Sequence, residues 1–387
     1  VDSVLRLPLY EVATSRLDDF SGGQKVRKVD SLTLRQSQSL NLGELLQRSS
    51  AVHVNSYSYN GLNTIAFRGT SVTHTGLYWN GFQLNPPNNG QVDLSLIPSG
   101  MFNDIRIYHG GNSALYGSGN IGGSIHVNNS ADFTRHLAGS ASMHLAGFGQ
   151  VGGDVGLSVS NGKWYSKTRL MGKKARNDFP YTNLQGEAVR QENGRLEQYG
   201  VMQDVFLNAG KGWVAGASVW MQHNDKEIPA TLTSKPSDAW QLDQSFKTML
   251  SVKKYLNKGS FSIKSGLLYD YLHYVDPDTI PAIEIDSEIK TIRSVTEAQF
   301  ERRVHPNVLL NGGLVYTADK GETDYYSQIA NRRQLGFFAQ WRQDFPGIKW
   351  KMNLNLRQDL IEHYNVPFTP AIGLEGKVYK IVSAKVS

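Results

Sequence analysis

The sequence predicts a small α+β region followed by a large antiparallel β-barrel that the 387 residues do not complete. The first 130 residues mix one helical pattern with short apolar runs, whereas residues 134–387 alternate between apolar and polar positions almost throughout. The connections between the alternating runs are short and long in turn. These observations predict an α+β domain at 1–130 and the N-terminal part of a barrel at 134–387.

The first region contains a single segment with helical spacing. In 39–46 the apolar residues recur at the spacing of an amphipathic helix, and either Ser39 or Asn41 is a suitable N-cap. Short apolar pieces around it predict strands, which we place at 52–54, 64–68, 76–79, 104–108 and 123–127.

The second region has a period of two. In 348–357 apolar residues occupy every even position and polar residues every odd one. This alternation places one set of side chains on each face of a sheet. The same pattern recurs at 213–222, 242–252, 261–271, 307–317 and 335–342. Counting such runs gives about 13 strands after residue 133.

The connections differ systematically in length. Long polar stretches at 177–194, 225–238, 275–288 and 320–330 alternate with short turns such as 161–163. Outer-membrane barrels have short periplasmic turns and longer extracellular loops. A soluble lipocalin-like barrel closes with about eight strands, which is fewer than the strands counted here. A large membrane barrel of 22 strands would need roughly 180 residues more than this sequence contains.

Composition and motifs argue against several other functions. Cysteine is absent, the ten histidines are dispersed, and the net charge of +6 is spread without a basic run. We therefore predict no metal site, no cofactor and no nucleic-acid partner, and we find no catalytic constellation. Gly117, Gly119 and Gly122 have the spacing of a dinucleotide-binding loop. A strand-like run follows them, however, and no acidic residue lies between Asp132 and Asp154. We expect these glycines to permit tight turns and close packing instead.

Four segments of the first region resemble the plug domain of TonB-dependent outer-membrane receptors. They follow the family's order: "TIAFRGT" at 64–70, "LYWNGFQL" at 77–84, "DLSLIP" at 93–98 and "IYHGGNSALYGSGNIGGSIHV" at 107–127. The sequence departs from the family pattern at Asn80, where the family has Asp, and at Arg106, where it has an acidic residue. It also departs at His109, where the family has Arg.

The resemblance implies a plug inside a transmembrane barrel of about 22 strands. It implies active transport of a scarce large nutrient across the outer membrane of a Gram-negative bacterium, with outer-membrane lipid around the barrel and TonB as the periplasmic partner. An accessory surface lipoprotein is a further partner that it allows. Arg68 fits the family's plug–barrel contact, and Asp2, Ser3, Val4 and Leu5 are the best candidate for the TonB box.

The resemblance also suggests where a ligand binds, because the plug's apical loops contribute to the site in this family. The expected ligand-binding residues are Ser56, Tyr57, Tyr59, Asn60, Asn85, Asn88 and Asn89. Their neutral hydrogen-bonding groups suit a large amide-rich ligand. The segment "FRGTSVTH" is most similar to the cobalamin transporter branch, which makes cobalamin the first expectation and a ferric siderophore or haem the alternative. Residues 177–194 contain only Asp178, Glu187 and Glu192 as acidic side chains, so we predict no calcium site.

A protein of another class could share these patterns. A non-transporting β-sheet binding module or a surface adhesin would also show alternating strands. The outer face of the sheet discriminates between the two. An apolar band flanked by aromatic side chains favours a membrane barrel, and a polar face favours the rival class.

Overall fold

The computed structural model describes residues 9–11, 15–50, 52–56, 61–67, 69–230, 238–280, 283–324, 329–377 and 383–386. The N-terminal region contains short strands and short helices. They are β1 (Leu9–Glu11), α1 (Ser15–Phe20), β2 (Lys25–Lys28), α2 (Ser31–Gln36), α3 (Leu42–Ser49), β3 (His53–Ser56), β4 (Asn63–Ala66), β5 (Thr75–Trp79), β6 (Phe82–Gln83), β7 (Asp104–His109), α4 (Ser113–Tyr116), β8 (Gly123–Asn128) and β9 (Ser130–Asp132).

The predicted helix is α3, and Asn41 rather than Ser39 caps it. The Asn41 side chain accepts the Glu44 N–H at 2.9 Å, while the Glu44 carboxylate accepts the Asn41 N–H at 3.0 Å. The sequence predicted one helix in this region, but α1, α2 and α4 also occur among the described residues. Each has six residues or fewer, which is too short to establish a helical period. No helix in the described ranges is long and apolar enough to cross a membrane.

Five strands form the central sheet of this region, in the order β2-β7-β8-β5-β6. Strands β5 and β8 are parallel, and the other pairs are antiparallel. The five predicted strands correspond to β3, β4, β5, β7 and β8. Strands β5 and β8 are buried along their whole length. On one face of β5, Tyr78 packs on Tyr116 of α4, and on the other, Trp79 packs on Trp220 of the second region.

The second region is one antiparallel sheet of thirteen strands in sequence order, as the alternating pattern predicted. The hairpin β13 (Pro180–Thr182) and β14 (Ala188–Arg190) lies within a long connection. The sheet strands are β10 (His136–Ala146), β11 (Gln150–Ser160), β12 (Trp164–Ala175), β15 (Leu196–Gly210), β16 (Trp213–Glu227), β17 (Trp240–Leu256), β18 (Gly259–Ile280), β19 (Ile283–His305), β20 (Val308–Thr323), β21 (Ala330–Phe345), β22 (Trp350–Ile361), β23 (Thr369–Lys377) and β24 (Ser383–Val386).

The strand ends that flank the predicted long connections lie at one rim of this sheet, because every neighbouring pair of strands is antiparallel. The prediction of a polar loop at 275–288 was wrong, since β18 runs to Ile280 and β19 begins at Ile283. Cross-strand pairing holds most of this polar segment in a long hairpin. Polar composition had suggested a loop, but a strand that projects beyond the rest of the sheet is solvated on both faces and is therefore also polar.

The two faces of the large sheet differ in chemistry. Its outer face exposes apolar side chains along the strands, for example Leu157, Leu250 and Leu314. Exposed aromatic rings lie beside the short turns, at Trp164, Trp213, Phe261 and Phe345. An apolar face with aromatic residues at its border is typical of a membrane barrel and not of a soluble sheet.

The N-terminal region packs against the concave face. The rings of Trp79 and Phe102 contact Trp220 of β16 with centroid distances of 5.7 and 5.4 Å. The glycine-rich segment has the predicted role in packing. Gly117 and Gly119 have φ values of 95° and 82°, and a Cβ on Gly123 would lie 2.5 Å from the Tyr108 carbonyl oxygen.

Candidate functional site

A cavity of about 320 Å³ lies between the loop that follows β6 and the inner face of β16–β19, on the side of the long connections. Trp220 supplies aromatic surface. The polar side chains that line the cavity from the inner face and from the loop are mostly neutral amides and hydroxyls: Asn88, Asn89, Gln91, Gln222, Asn224, Gln241, Ser245 and Thr291. Because these groups offer both donors and acceptors, the cavity suits a ligand rich in amide and hydroxyl groups.

The cationic side chains around this cavity are engaged by carboxylates. Lys226 lies 2.8 Å from Asp93, and Lys247 lies 2.5 Å from Asp270. The Lys247 ammonium also lies 5.1 Å from the centroid of the Trp220 ring. An anionic ligand would have to compete with these internal pairs, so the cavity is poorly arranged for a multiply charged anion.

Asp93 connects the loop to the barrel wall. Its Oδ1 accepts the N–H groups of Asn63 and Ser95 at 3.0 and 2.9 Å, and its Oδ2 accepts the hydrogen bond from Lys226. Lys226 is 2% exposed and Asp93 is 9% exposed. The pair is therefore shielded from water and fixes the base of the loop against β16.

Three of the four predicted asparagines lie in the described loop after β6, and their side chains differ in their contacts. The Asn85 side chain accepts the Leu77 N–H at 2.8 Å and donates to the carbonyl oxygens of Thr75 and Gly90 at 3.0 and 2.8 Å. Its amide is therefore used within the loop. Asn88 and Asn89 both line the cavity, and the buried Oδ1 of Asn88 has no hydrogen-bond partner among the described residues.

A second cavity of about 510 Å³ shares Asn88 with the first. The ends of β20–β22 at the rim of the long connections, and the connection after β22, line this second cavity opposite Asn88. Its arginine, Arg332, lies 2.7 Å from Asp319. The two cavities place Asn88 at the centre of a broad polar depression at the rim of the long connections.

Several predicted site residues lie outside the described residues. They are Tyr57, Tyr59, Asn60, Arg68 and the segment formed by Asp2, Ser3, Val4 and Leu5. Ser56 is the last residue of β3, where it is exposed and paired with Asn63. The structure therefore brings Asn88 and Asn89 together above Asn85, and the roles predicted for the other residues stay predictions.

Sequence reasoning missed an arginine that connects the N-terminal region to the barrel. Arg16 of α1 lies 2.7 Å from Glu297 of β19 and donates to Gln299 at 3.0 Å. Its guanidinium also lies 4.1 Å from the centroid of the Phe338 ring. Burial alone would lower the pKa of Arg16, but the Glu297 carboxylate more than offsets this effect and the pKa is raised. No motif around Arg16 indicated the contact.

A second contact joins the link between β8 and β9 to the barrel through amide and charged groups. Asn129 donates to Asp204 of β15 at 2.9 Å, and Arg169 of β12 lies 3.0 Å from the same carboxylate. Arg169 also donates to Asn103. The period-two pattern of β12 and β15 could have suggested Arg169 and Asp204, because their neighbours in sequence face outward and these two residues therefore face inward.

The model of the TonB-dependent Receptor Plug Domain matches residues 19–124. Among curated proteins, the chain is 27% identical over 289 residues to "Vitamin B12 transporter BtuB" of Photobacterium profundum, an alignment that covers 73% of this chain and 45% of that protein. It is 36% identical over 85 residues to the protein of the same name from Vibrio vulnificus, covering 22% and 14%. The chain thus spans about half the length of the first of these relatives.

Solved structures with the same architecture include the ferric yersiniabactin uptake receptor FyuA from Yersinia pestis. Its TM-score is 0.72 at 12% identity, with 94% of this chain and 64% of that chain covered. The FrpB iron transporter from Neisseria meningitidis gives a TM-score of 0.75 at 12% identity, with the same coverages. At these identities the structural likeness concerns the fold alone. The plug-domain match identifies residues 19–124 as a TonB-dependent receptor plug domain, and the chain resembles TonB-dependent receptors in its sequence relatives and in its architecture.

Proposed function

We propose that the protein takes up a large nutrient across the outer membrane of a Gram-negative bacterium, driven by TonB from the periplasmic side. One observation carries the proposal: a plug occupies the concave face of the barrel sheet and places a polar cavity at the rim of the long connections. In this arrangement the long connections face the cell exterior and the short turns face the periplasm. A plug that fills the lumen must move before a large ligand can pass.

We propose cobalamin as the nutrient. The cavity's neutral amides match the amide groups of such a ligand, and its cations are already paired with carboxylates. An anionic iron chelate would gain more from unpaired arginines than this cavity offers. The vitamin B12 transporters among the sequence relatives support the same choice.

We assign roles to individual residues on this basis. Asn88 and Asn89 contact the ligand, and Ser56, Tyr57, Tyr59 and Asn60 complete its site from the neighbouring loop. Asn85 shapes the loop. Arg68 holds the plug against the barrel, as Arg16 does, and Asp2, Ser3, Val4 and Leu5 present the TonB-contacting segment. The division at 1–130 and 134–387 is the proposed boundary between plug and barrel.

Titration calorimetry of the full-length receptor with cobalamin and with a panel of ferric siderophores and haem tests the ligand. We expect saturable binding of cobalamin only. Asn88→Ala should weaken it about fivefold, the effect of one lost hydrogen bond of about 1 kcal/mol. Gln36→Ala is the matched control, because Gln36 is an exposed amide on α2 away from the cavity. Binding of a siderophore or haem without cobalamin would overturn the choice of ligand.

Uptake of radiolabelled cobalamin by whole cells tests the transport proposal. Cells that express the receptor should accumulate the vitamin when TonB is present and lose accumulation when it is deleted, while surface binding remains. Equal accumulation with and without TonB would contradict the proposed energy source.

A further inference from the structure

The outer wall of the barrel carries a groove that is separate from the ligand cavity. It lies across β19–β22 near the short turns and has a volume of about 360 Å³. Gly312 and Ala339, which pair in register, form its floor. Phe300, Trp341 and Leu354 form its walls. Two small residues side by side thus leave a depression in a face that otherwise carries large apolar side chains.

The alternation of the strands shows that this groove faces outward. Asn311 and Gln340 are the sequence neighbours of the floor residues, and both are buried on the inner face. The Asn311 side chain donates to the Gln340 side chain at 2.6 Å. Because successive side chains in a strand point to opposite faces, Gly312 and Ala339 face the membrane side.

One end of the groove carries a cation. Arg302 lines the groove, is exposed, and pairs in register with Gly259, the first residue of β18. It therefore lies close to the rim of short turns. Within the described part of the chain, Arg302 makes no ion pair or side-chain hydrogen bond. By contrast Lys254, an outward basic residue near the same rim, donates to the Lys211 carbonyl oxygen and lies 5.1 Å from the Trp213 ring centroid.

An apolar groove that ends at an uncompensated arginine is complementary to a molecule with an acyl chain and an anionic head group. Arginine binds phosphate oxygens through two parallel hydrogen bonds. Interfacial basic residues gain free energy beside anionic lipid. The depression can also hold one acyl chain more closely than the convex surface around it, where large side chains leave no recess.

We propose that this groove binds one glycerophospholipid of the periplasmic leaflet, with an acyl chain over Gly312 and Ala339 and the phosphate at Arg302. The choice of leaflet rests on the proposed function, because it requires the short turns to face the periplasm. Lipopolysaccharide, which also combines phosphate with acyl chains, belongs to the opposite leaflet. The bound lipid would fix this part of the wall relative to the membrane interface.

Native mass spectrometry of the full-length receptor, titrated with dioleoylphosphatidylglycerol in detergent, tests the proposal. We expect a single saturable lipid adduct. Arg302→Gln should raise the apparent Kd about fivefold, the effect of one basic residue at an anionic surface. Lys254→Gln should leave it unchanged, because Lys254 is already engaged by protein groups.

Gly312→Leu provides an independent test of the groove itself. A Cβ at Gly312 meets only the Phe338 carbonyl oxygen at 3.4 Å, so a side chain can be accommodated on the outer face. The leucine should fill the groove and remove the saturable adduct while the receptor stays folded. Adducts equal in Arg302→Gln, Lys254→Gln and unmodified receptor would overturn the proposal, as would tighter binding of lipopolysaccharide at the same residues. Because the lipid titration uses no nutrient, its outcome is independent of whether cobalamin is the ligand.

Discussion

Glu297 lies between two cations that come from different parts of the molecule. Arg16 of the plug lies 2.7 Å from this carboxylate, and Lys264 of β18 lies 3.2 Å from it. All three side chains are less than 10% exposed. A buried ion pair is costly to break from one side, because the remaining charge has no water to solvate it.

Charge balance predicts that Arg16→Gln and Glu297→Gln, which each neutralise one partner, destabilise the packing of α1 by different amounts. Arg16→Gln leaves Glu297 paired with Lys264, whereas Glu297→Gln leaves two buried cations without a carboxylate. We expect Glu297→Gln to destabilise the packing of α1 by about 3 kcal/mol or more and Arg16→Gln by less. Hydrogen exchange of the α1 amides in the full-length receptor measures the difference. Equal protection in both variants and the unmodified protein would show that the contact contributes no stability.

His126 is a buried histidine in the plug. Its ring stacks on Tyr78 at a centroid distance of 4.6 Å, and its Nε2 lies 2.9 Å from the Ser124 hydroxyl. Burial is the main reason that its pKa is lowered well below the usual value, and the nearby cations Arg106, Arg16 and Lys264 lower it further. The folded plug therefore holds His126 in its neutral form.

This lowered pKa predicts a dependence of plug stability on pH. The unfolded plug takes up a proton on His126 below about pH 6.5, and the folded plug does not. Stability should therefore be full above that pH and decrease by up to about 1.4 kcal/mol per pH unit as the pH falls below it. Hydrogen exchange of the β8 amides between pH 7.5 and pH 5 measures this slope. His126→Gln should flatten it, and His53→Gln, at an exposed position of β3, should not.

At this scale the resemblance of the plug motifs located a loop but not the role of each residue. Asn88 and Asn89, predicted to bind ligand, line the cavity, and their role in binding stays a prediction. Asn85 belongs to the same loop but is occupied by backbone groups. The barrel residues of the cavity, such as Asn224 and Gln241, were not predictable. A period of two identifies the two faces of a strand but not the height at which a plug meets it.

Among the secondary-structure elements, those with a clear period were the predictable ones. Helix α3 carries apolar residues at helical spacing and a capping box, and both features are local. Strands β1 and β9 have three residues each and pair across more than one hundred positions. Their existence depends on tertiary contact and leaves little local pattern.

Two glycines of the glycine-rich segment, Gly111 after β7 and Gly123 at the start of β8, predict a difference between their alanine substitutions. A Cβ at Gly123 would lie 2.5 Å from the Tyr108 carbonyl oxygen and 2.9 Å from the Phe67 ring, whereas at Gly111 the nearest atom is the Ile121 carbonyl oxygen at 3.5 Å. Gly123→Ala should force β8 away from β7 and destabilise the plug by about 1–3 kcal/mol, the usual cost of overpacking. Gly111→Ala should be close to neutral. Limited proteolysis of the plug in the assembled receptor compares them, and equal cleavage rates would contradict the packing argument.

Across the whole molecule, the number of period-two runs predicted the strand number, and the alternation of connection lengths predicted the common rim of the long connections. That information is distributed over more than two hundred residues, so errors at single segments, such as 275–288, did not alter the topology. The proposed orientation of the barrel in the membrane rests on the lengths of the connections and on the position of the cavity.

The absence of cysteine makes that orientation directly testable. Leu184 is 67% exposed in the connection that contains β13 and β14, and Lys258 is exposed in the short turn between β17 and β18. If the long connections face the exterior, a membrane-impermeant maleimide should label Leu184→Cys on intact cells. It should label Lys258→Cys only after the outer membrane is permeabilised. Labelling of both variants in lysed cells controls for reactivity, and the unmodified protein controls for background. Labelling of Lys258→Cys but not Leu184→Cys on intact cells would show that the barrel has the opposite orientation in the membrane. It would place the polar cavity on the periplasmic side, where a cavity that receives a nutrient from outside the cell could not function.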